Sequence, residues 1–244
     1  MTPEPSETPD ASDIPGEPGS RGAAVEATGL SLKAARGWVY RDVDLSVSPG
    51  RLVALAGEAG TGRTALLLTL GGRMRPTAGR ARIGGHELPA EMRAVQRIAA
   101  LGVIGGVNDL EPTLTVREQA GEALDLHLGL FGPLRPKARR ARITAALARV
   151  GLDLDLGLAV HELPPDETQL LGAALALLGE PRLLLLDEVD ARLTPDRQHA
   201  LWQRLHAIAG SGVTVIATCH DPAPAAGLAE TVQIPPHREG PSDG

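Results

Sequence analysis

The chain has 244 residues, of which 43% are apolar, 22% charged and 2% aromatic, so it is long enough for one large domain with a core built mainly from Leu, Val and Ala. The formal net charge is −6, and five acidic residues against one basic residue lie in residues 1–22, so the remainder is nearly neutral and lacks the Lys/Arg stripe of a nucleic-acid binder. The single cysteine excludes an internal disulfide framework, and no apolar run reaches the roughly 20 residues needed to span a bilayer.

The two ends of the chain differ in composition from the middle. Residues 1–22 and 235–244 are rich in Pro, Glu, Ser and Asp and hold almost no apolar residues. We therefore predict a disordered acidic tail at the start and a flexible tail at the end. The first residues lack a basic region followed by an apolar stretch, so no signal peptide is expected. Residues 23–234 are predicted to form one folded domain.

The first part of this domain has mainly strand patterns. Residues 25–32 and 39–47 favour two strands, and the second of them alternates apolar with polar residues. Residues 52–56 are a short continuous apolar run, typical of a strand buried on both faces of a parallel sheet. A Gly-rich loop follows, residues 64–70 continue as a helix, and residues 98–104 are predicted to be another strand.

The middle third has a helical pattern, and the strand pattern then returns. Within a helical block of about residues 108–179, helices are predicted at 115–130, 137–150 and 167–178. After the block the predicted elements are a strand at 183–186, a helix at 195–209 and strands at 213–217 and 231–234. This order predicts an α/β fold with a mostly parallel central sheet, antiparallel strands near the N-terminus and an inserted α-helical subdomain.

The Gly-rich loop is the first of two segments that carry chemistry. It reads Gly57-Glu58-Ala59-Gly60-Thr61-Gly62-Arg63-Thr64, and Ala65 continues the candidate nucleotide-binding set. A loop of this kind between a buried strand and a helix is the context of a phosphate-binding P-loop, whose backbone N–H groups and helix N-terminus favour an anion. Thr64 supplies the hydroxyl suited to a Mg²⁺ ligand.

The P-loop pattern has lysine where this chain has Arg63. A guanidinium is a wide planar fork, whereas an ammonium is a compact charge that fits between two phosphates. We expect the exchange of lysine for arginine to leave phosphate binding in place but to disturb the geometry of the transition state for hydrolysis.

The second segment is Leu183–Leu186 followed by Asp187 and Glu188. The two carboxylates come at the carboxyl end of a predicted buried strand, which is the edge of an α/β sheet where ligands bind. Asp187 is predicted to hold the Mg²⁺ shell, and Glu188 to act as the general base on the attacking water, a role worth ~10²–10⁴-fold in rate. Taken singly, each of the two segments could also be an ordinary turn.

Together the two segments resemble one family of P-loop proteins, because about 120 residues and a helical block separate them. Over residues 25–234 the chain resembles the ATP-binding subunits of ABC transporters. Residues 114–118 (Leu-Thr-Val-Arg-Glu) and 179–181 (Gly-Glu-Pro) are similarly placed to landmarks of that family. The resemblance implies that His220, which follows a predicted apolar strand, contacts the γ-phosphate and helps to hold the water. It also implies ATP and Mg²⁺ as cofactors.

The chain departs from the family in the segment that would contact the γ-phosphate of the nucleotide bound to a partner subunit. The family sequence LSGGQ aligns with Leu163-Pro164-Pro165-Asp166-Glu167, in which only Leu163 matches. The prolines remove N–H donors and the acidic residues place negative charge near an anion, so this segment should be a poor phosphate clamp. In the segment after Glu188, Asp190 and Asp196 both remain candidates for the aspartate of the family.

Two further contact positions of the family are changed. Gly106 stands where a glutamine links the Mg²⁺ site to the transmembrane partner, so that side-chain contact is absent. The adenine-stacking aromatic aligns with Ala34. Trp38 or Tyr40 could replace it only in a shifted register, and a core or surface role is favoured for both.

The resemblance implies an ATP-binding subunit that hydrolyses ATP slowly to drive a separately encoded membrane permease, with export favoured. Such a subunit would lie on the cytoplasmic face of the membrane through its permease, as a homo- or heterodimer and without nucleic acid. A second hypothesis is a regulatory or assembly subunit that binds nucleotide with little or no hydrolysis. A P-loop kinase is disfavoured because it would need a lid with catalytic arginines. An α/β domain without nucleotide would require both motifs and His220 to be coincidental.

Overall fold

The computed structural model describes residues 21–35, 37–128 and 135–236. Within these ranges the strands are β1 (Val25–Ala34), β2 (Gly37–Val47), β3 (Leu52–Ala56), β4 (Ala78–Ile83), β5 (His86–Leu88), β6 (Ala99–Leu101), β7 (Leu183–Leu186), β8 (Thr214–Cys219) and β9 (Glu230–Gln233). The α-helices are α1 (Arg63–Leu70), α2 (Met92–Ile98), α3 (Val116–Leu128), α4 (Pro136–Arg149), α5 (Pro165–Leu177) and α6 (Pro195–Gly210). Two short 3₁₀ helices lie at Val160–Glu162 and Ala223–Ala225.

The strands form two sheets. An antiparallel sheet has the order β2-β1-β4-β5, and a parallel sheet has the order β6-β7-β8-β3-β9. The predicted α/β fold with antiparallel strands near the N-terminus is confirmed. Because β8 lies between β3 and β7, the segments that follow these three strands leave the sheet at one edge.

The parallel sheet is buried on both faces, which explains its continuous apolar strands. Along β3, Leu52, Ala54 and Ala56 pack into one hydrophobic cluster, whereas Val53 and Leu55 pack into another. The first cluster includes residues of the helical block and of α6, and the second includes α1 and the antiparallel sheet. Alternate side chains of a strand point to opposite faces, so β3 is held in place from both sides.

The helices α3, α4 and α5 fall within the predicted block of residues 108–179 and pack against one another. Helix α5 also contacts β6 and β7, and the Ala- and Leu-rich part of this helix is buried. None of the helices in the described ranges combines the length and the apolarity needed to cross a bilayer. The range predicted for α3 from the sequence, 115–130, extends past Leu128, and its residues 129 and 130 lie outside the described residues.

The strand predicted at residues 98–104 is wrong in its extent, because β6 covers only Ala99–Leu101. Ile98 is the last residue of α2. Beyond β6, the side chain of Asn108 donates to the carbonyl of Gly102 at 2.6 Å and accepts from the amide of Ile104 at 2.9 Å. These bonds hold the chain in a loop after Leu101, and apolar composition alone does not reveal them.

The ends of the chain lie largely outside the described residues, namely 1–20 and 237–244. The last residues of the predicted N-terminal tail, Arg21 and Gly22, are described, and their carbonyls accept hydrogen bonds from the Arg182 side chain. The amide of Ala23 donates to the carbonyl of Arg182 at 3.0 Å. The folded body therefore includes these two residues of the predicted tail.

Candidate nucleotide site

The Gly-rich loop connects β3 to α1 at the carboxyl edge of the parallel sheet. The amide of Gly57 donates to the carbonyl of Cys219 at 3.3 Å, and the hydroxyl of Thr61 donates to the carbonyl of Glu58 at 2.8 Å. Glu58, Ala59 and Gly60 at the crest of the loop are exposed. The loop is therefore fixed at both ends and open to solvent at its crest, as an anion-binding loop requires.

Gly62 is the position in this loop where only glycine fits. Its φ is +80°, a left-handed conformation that side chains disfavour. A Cβ atom at this position would lie 2.1 Å from the carbonyl oxygen of Val39 in β2. The antiparallel sheet thus packs directly on the last turn of the loop and sets its position.

Arg63 opens α1, and its side chain is only 8% exposed. One of its guanidinium nitrogens donates to the backbone carbonyl of Cys219, at the end of β8. The cation therefore lies beneath the loop, bonded to the neighbouring strand. A phosphate in the loop would have to compete with this carbonyl for the guanidinium.

Asp187 connects the loop to the second predicted segment. The Thr64 hydroxyl in α1 donates to Oδ2 of Asp187 at 2.7 Å, and the Thr218 hydroxyl in β8 donates to Oδ1. The Asp187 side chain is buried, and no Lys or Arg within the described ranges forms an ion pair with it. The sequence predicted Thr64 and Asp187 as one metal site, and the fold places their oxygen atoms side by side.

A hydroxyl next to a buried, unpaired carboxylate fits a hard divalent cation such as Mg²⁺. No group of three or more His, Cys, Asp or Glu in the described residues could form a complete metal cage. Mg²⁺ is commonly held by one or two protein oxygens together with substrate phosphates and water. Thr64 and Asp187 would hold the ion, and the ion would neutralise phosphate charge when bound.

Glu188 follows Asp187 in a left-handed conformation, with φ +47°. Its amide donates to the hydroxyl of Thr218 at 2.8 Å, and its carbonyl accepts from Ala191 at 3.0 Å. The carboxylate is exposed, so the turn directs it away from the core at the same sheet edge as the P-loop.

His220 directly follows β8 and is exposed. The backbone amides of His220 and Asp221 both donate to Oδ2 of Asp190, at 2.7 and 3.1 Å. Asp190 therefore supports the segment that carries His220, whereas Asp196 is exposed in the first turn of α6. Of the two aspartates left open by the sequence, the fold brings Asp190 to the site.

Cys219, between Thr218 and His220, is buried. Burial, reinforced by the charge of Asp190, raises the pKa of its thiol to about 12. The thiol therefore stays neutral, and only the backbone carbonyl of Cys219 takes part in the site.

The segment aligned with LSGGQ begins α5. Leu163 is buried, Pro164 lies at the N-cap and Pro165 is the first helical residue. Asp166 is 2.8 Å from Arg197 of α6, so its charge is partly balanced within the chain. This helix start presents two prolines and two acidic residues, a poor arrangement for binding an anion.

The structure also describes the three residues considered for the adenine-stacking position, Ala34, Trp38 and Tyr40. Ala34 ends β1 and is exposed. Tyr40 belongs to the core, since it is 1% exposed and its hydroxyl donates to Thr69 at 2.7 Å. Trp38 is half-buried on the surface, with the cations of Lys33 and Arg41 over its ring at 5.4 and 5.1 Å. Tyr40 thus has a core role and Trp38 a surface role, and both fall within the core or surface roles favoured for these two residues from the sequence.

Gly106 lies in the loop after β6, where its φ is +72° and its amide donates to Asp109 at 2.8 Å. A groove of about 440 Å³ opens beside this loop, between α3 and α5. Its lining includes Asn108, Asp109 and Leu126, and Leu126 is 82% exposed. This exposed apolar surface adjoins the loop of Gly106, the position aligned from the sequence with the glutamine that links the Mg²⁺ site to the transmembrane partner in the family.

Thr218 is the site residue that the sequence reasoning missed. It lies in the largely apolar strand β8, two residues before His220, and no sequence motif assigns it a role. The sequence feature that could have pointed to it is a threonine near the end of β8, because β8 pairs with both β3 and β7, the two strands that the motif segments follow.

Comparison with known proteins agrees with this fold. A family model described as ABC transporter matches residues 40–191. A Nod factor export ATP-binding protein I from Burkholderia pseudomallei is 34% identical over 75% of this chain and 58% of its own length. A protein of the same name from Rhizobium etli is 31% identical over 75% of this chain and 55% of its own. The chain therefore spans little more than half the length of these relatives.

Relatives with a different transport direction in their names also match. A ribose import ATP-binding protein from Streptomyces avermitilis is 32% identical over 81% of this chain and 38% of its own length. Among solved structures, a dimeric bacterial ABC transporter cassette superposes with a TM-score of 0.71 at 22% identity, covering 86% of this chain and 94% of the other. At that identity the superposition shows the fold alone.

Proposed function

This chain belongs to the ABC transporter family and is a nucleotide-binding domain of that family, and from this premise we propose that it binds Mg-ATP and drives a separate membrane permease. The observation that carries the proposal is the 2.7 Å hydrogen bond between Thr64 of the P-loop helix and Asp187 at the end of β7. It joins the two motif segments, which are far apart in sequence, into one site. Residues 23–234 are proposed as the ATP-binding domain, with residues about 108–179 as its helical subdomain.

Each predicted residue has a role in this proposal. The amides of the loop from Gly57 to Ala65 bind the phosphates, aided by the N-terminus of α1. Thr64 and Asp187 hold Mg²⁺, which supplies positive charge opposite the phosphates. Glu188 accepts the proton of the attacking water, and His220 orients that water at the γ-phosphate.

We propose that hydrolysis is slow, because two parts of the site are altered. Arg63 is bonded to the carbonyl of Cys219, so reaching a phosphate means giving up a buried hydrogen bond. The start of α5 offers prolines and acidic residues instead of donors. A dimer of two such chains would have a weak phosphate clamp, which favours a partner ATP-binding subunit with an intact one.

The groove beside Gly106 supports a permease as the second partner. The large apolar side chains of Val107 and Leu126 are 52% and 82% exposed, and both lie in or next to the loop and helix that form the groove. Exposed apolar surface of this kind marks a contact with another protein. We propose that the permease covers it and holds the chain at the cytoplasmic face of the membrane. Export is proposed from the names of the Nod factor relatives.

A regulatory or assembly subunit with little turnover is the second candidate. Two observations favour it, namely the Arg63 contact with Cys219 and the acidic, proline-containing start of α5. Phosphate release, measured with and without a co-expressed membrane partner, separates the two functions. Release stimulated by the partner supports transport, and nucleotide binding without any release supports regulation.

Calorimetric titration of Mg-ATP tests nucleotide binding itself. Wild type is expected to bind, and Arg63→Ala to bind at least tenfold more weakly because it removes a cation from the loop. Arg82→Ala is the matched control, since Arg82 pairs with Glu87 on the exposed surface of the antiparallel sheet at 3.0 Å. Absence of binding by wild type would overturn the proposal, whereas equal affinity in wild type and Arg63→Ala would overturn only the contribution of Arg63 to phosphate binding.

A further inference from the structure

Thr218 contacts both acidic residues of the candidate site with a single side chain. Its hydroxyl donates to Oδ1 of Asp187 and accepts from the amide of Glu188 at 2.8 Å. The residue is completely buried. Within this arrangement both hydrogen-bonding functions of the hydroxyl are used, so the side chain has one favoured orientation.

The bond to Asp187 determines which carboxylate oxygen is available. With Oδ1 held by Thr218, Oδ2 faces the Thr64 hydroxyl at 2.7 Å. A buried aspartate without this bond could rotate about its terminal torsion, which has only broad minima. The Thr218 hydroxyl thus keeps one carboxylate oxygen directed at the P-loop helix.

The bond to Glu188 acts on the backbone. Glu188 has φ +47°, a conformation that non-glycine residues adopt only when the surroundings hold them there. Thr218 holds it twice, because its hydroxyl accepts from the Glu188 amide and its carbonyl accepts from the Val189 amide at 3.0 Å. This turn directs the Glu188 carboxylate outward.

We propose that Thr218 is a positioning residue, which presents Asp187 to the metal and Glu188 to the water without touching the nucleotide. This inference rests on the proposed function, since it concerns the same Mg-ATP site. Loss of the hydroxyl would leave the Asp187 oxygen and the Glu188 amide without their buried partner. The expected consequence is a weaker metal site rather than a weaker phosphate loop.

Thr214 offers a matched control on the same strand. It is four residues earlier in β8 and therefore on the same face, and it is also fully buried. Its hydroxyl donates to the carbonyl of Ala23 at 2.7 Å and accepts from the amide of Gly50 at 2.9 Å. Thr214→Val therefore removes a hydroxyl that also donates once and accepts once, at the opposite end of the strand from the candidate site.

The experiment measures ATP affinity over a range of Mg²⁺ concentrations for wild type, Thr218→Val, Thr218→Ser and Thr214→Val. The readout is the Mg²⁺ concentration that gives half of the metal-dependent gain in affinity. Thr218→Val is expected to raise it at least tenfold, while its affinity for ATP without Mg²⁺ stays within twofold of wild type. Thr218→Ser keeps the hydroxyl and should match wild type, as should Thr214→Val. Thr218→Ala replaces Thr218→Val should the latter not fold.

The outcomes separate this inference from the proposed function. A wild type that gains no affinity from Mg²⁺ overturns both. A wild type that gains affinity, with Thr218→Val indistinguishable from Thr214→Val, overturns the positioning role alone. A Thr218→Ser variant as impaired as Thr218→Val also overturns it, because the hydroxyl would then not be the cause.

Discussion

Substitution of Gly62 by alanine tests how the antiparallel sheet fixes the P-loop. Two costs are expected. The first is the left-handed backbone at φ +80°, which costs a side chain roughly 1–2 kcal/mol. The second is steric, because the new Cβ would lie 2.1 Å from the Val39 carbonyl oxygen, so β2 or the loop must move. Overpacking of this kind typically costs about 1–3 kcal/mol.

Gly60 separates the two costs. Its φ is +83°, and a Cβ built there meets nothing within 4 Å. Gly60→Ala should therefore show only the backbone cost, roughly 1–2 kcal/mol. Gly62→Ala should show both, for a total of roughly 2–5 kcal/mol.

Urea unfolding followed by tryptophan fluorescence measures both variants, because Trp202 is completely buried in the core. The free energy of unfolding should fall further for Gly62→Ala than for Gly60→Ala, by about 1–3 kcal/mol. Equal losses in the two variants would refute the claim that β2 packs on the loop at Gly62. A loss in Gly62→Ala below that in Gly60→Ala would refute it equally.

Two further predictions follow from burial and exposure. Burial is the main cause that raises the pKa of Cys219 from 9.0 to about 12 and that of Tyr40 from 10.0 to about 12. Their contribution to the free energy of unfolding is therefore fully present below pH 9 and is lost as the pH rises toward 12. The double variant Cys219→Ala, Tyr40→Phe should lose less of its free energy of unfolding between pH 8 and about pH 11 than wild type. An identical pH dependence in the two proteins would contradict the raised pKa values of Cys219 and Tyr40. Leu126→Glu should fold and bind Mg-ATP as wild type does, since Leu126 is 82% exposed, but should reduce co-purification with the permease at least fivefold; unchanged co-purification would exclude the groove as the docking surface.

The parts of the fold that could be predicted from sequence are those in which one residue pattern has one physical cause. β3 and β7 were predicted to the residue, because a strand buried on both faces must be continuously apolar. The glycines and the paired carboxylates that follow these strands are chemically distinctive, so the P-loop segment and Asp187 could be predicted as candidate site residues from the sequence as well.

Other parts depend on contacts that only the folded chain supplies. β4 and β5 were missed because they are short and interrupted by charged residues, and they become strands through pairing with β1 and with each other. β6 was predicted too long because the side chain of Asn108 bonds to the carbonyl of Gly102, directly after the strand, and holds the following residues in a loop. Thr218 was missed because the threonines of an otherwise apolar strand form no pattern that marks a site, and the role of Thr218 arises from Asp187 on the neighbouring strand.

A crystal structure of the chain with Mg²⁺ and a non-hydrolysable ATP analogue tests the central claim most directly. The phosphates should lie against the backbone amides between Gly57 and Ala65, with the ion contacting the Thr64 hydroxyl and lying next to Asp187. Nucleotide bound elsewhere, or a loop that remains empty at millimolar analogue while the rest of the fold is unchanged, would contradict the account.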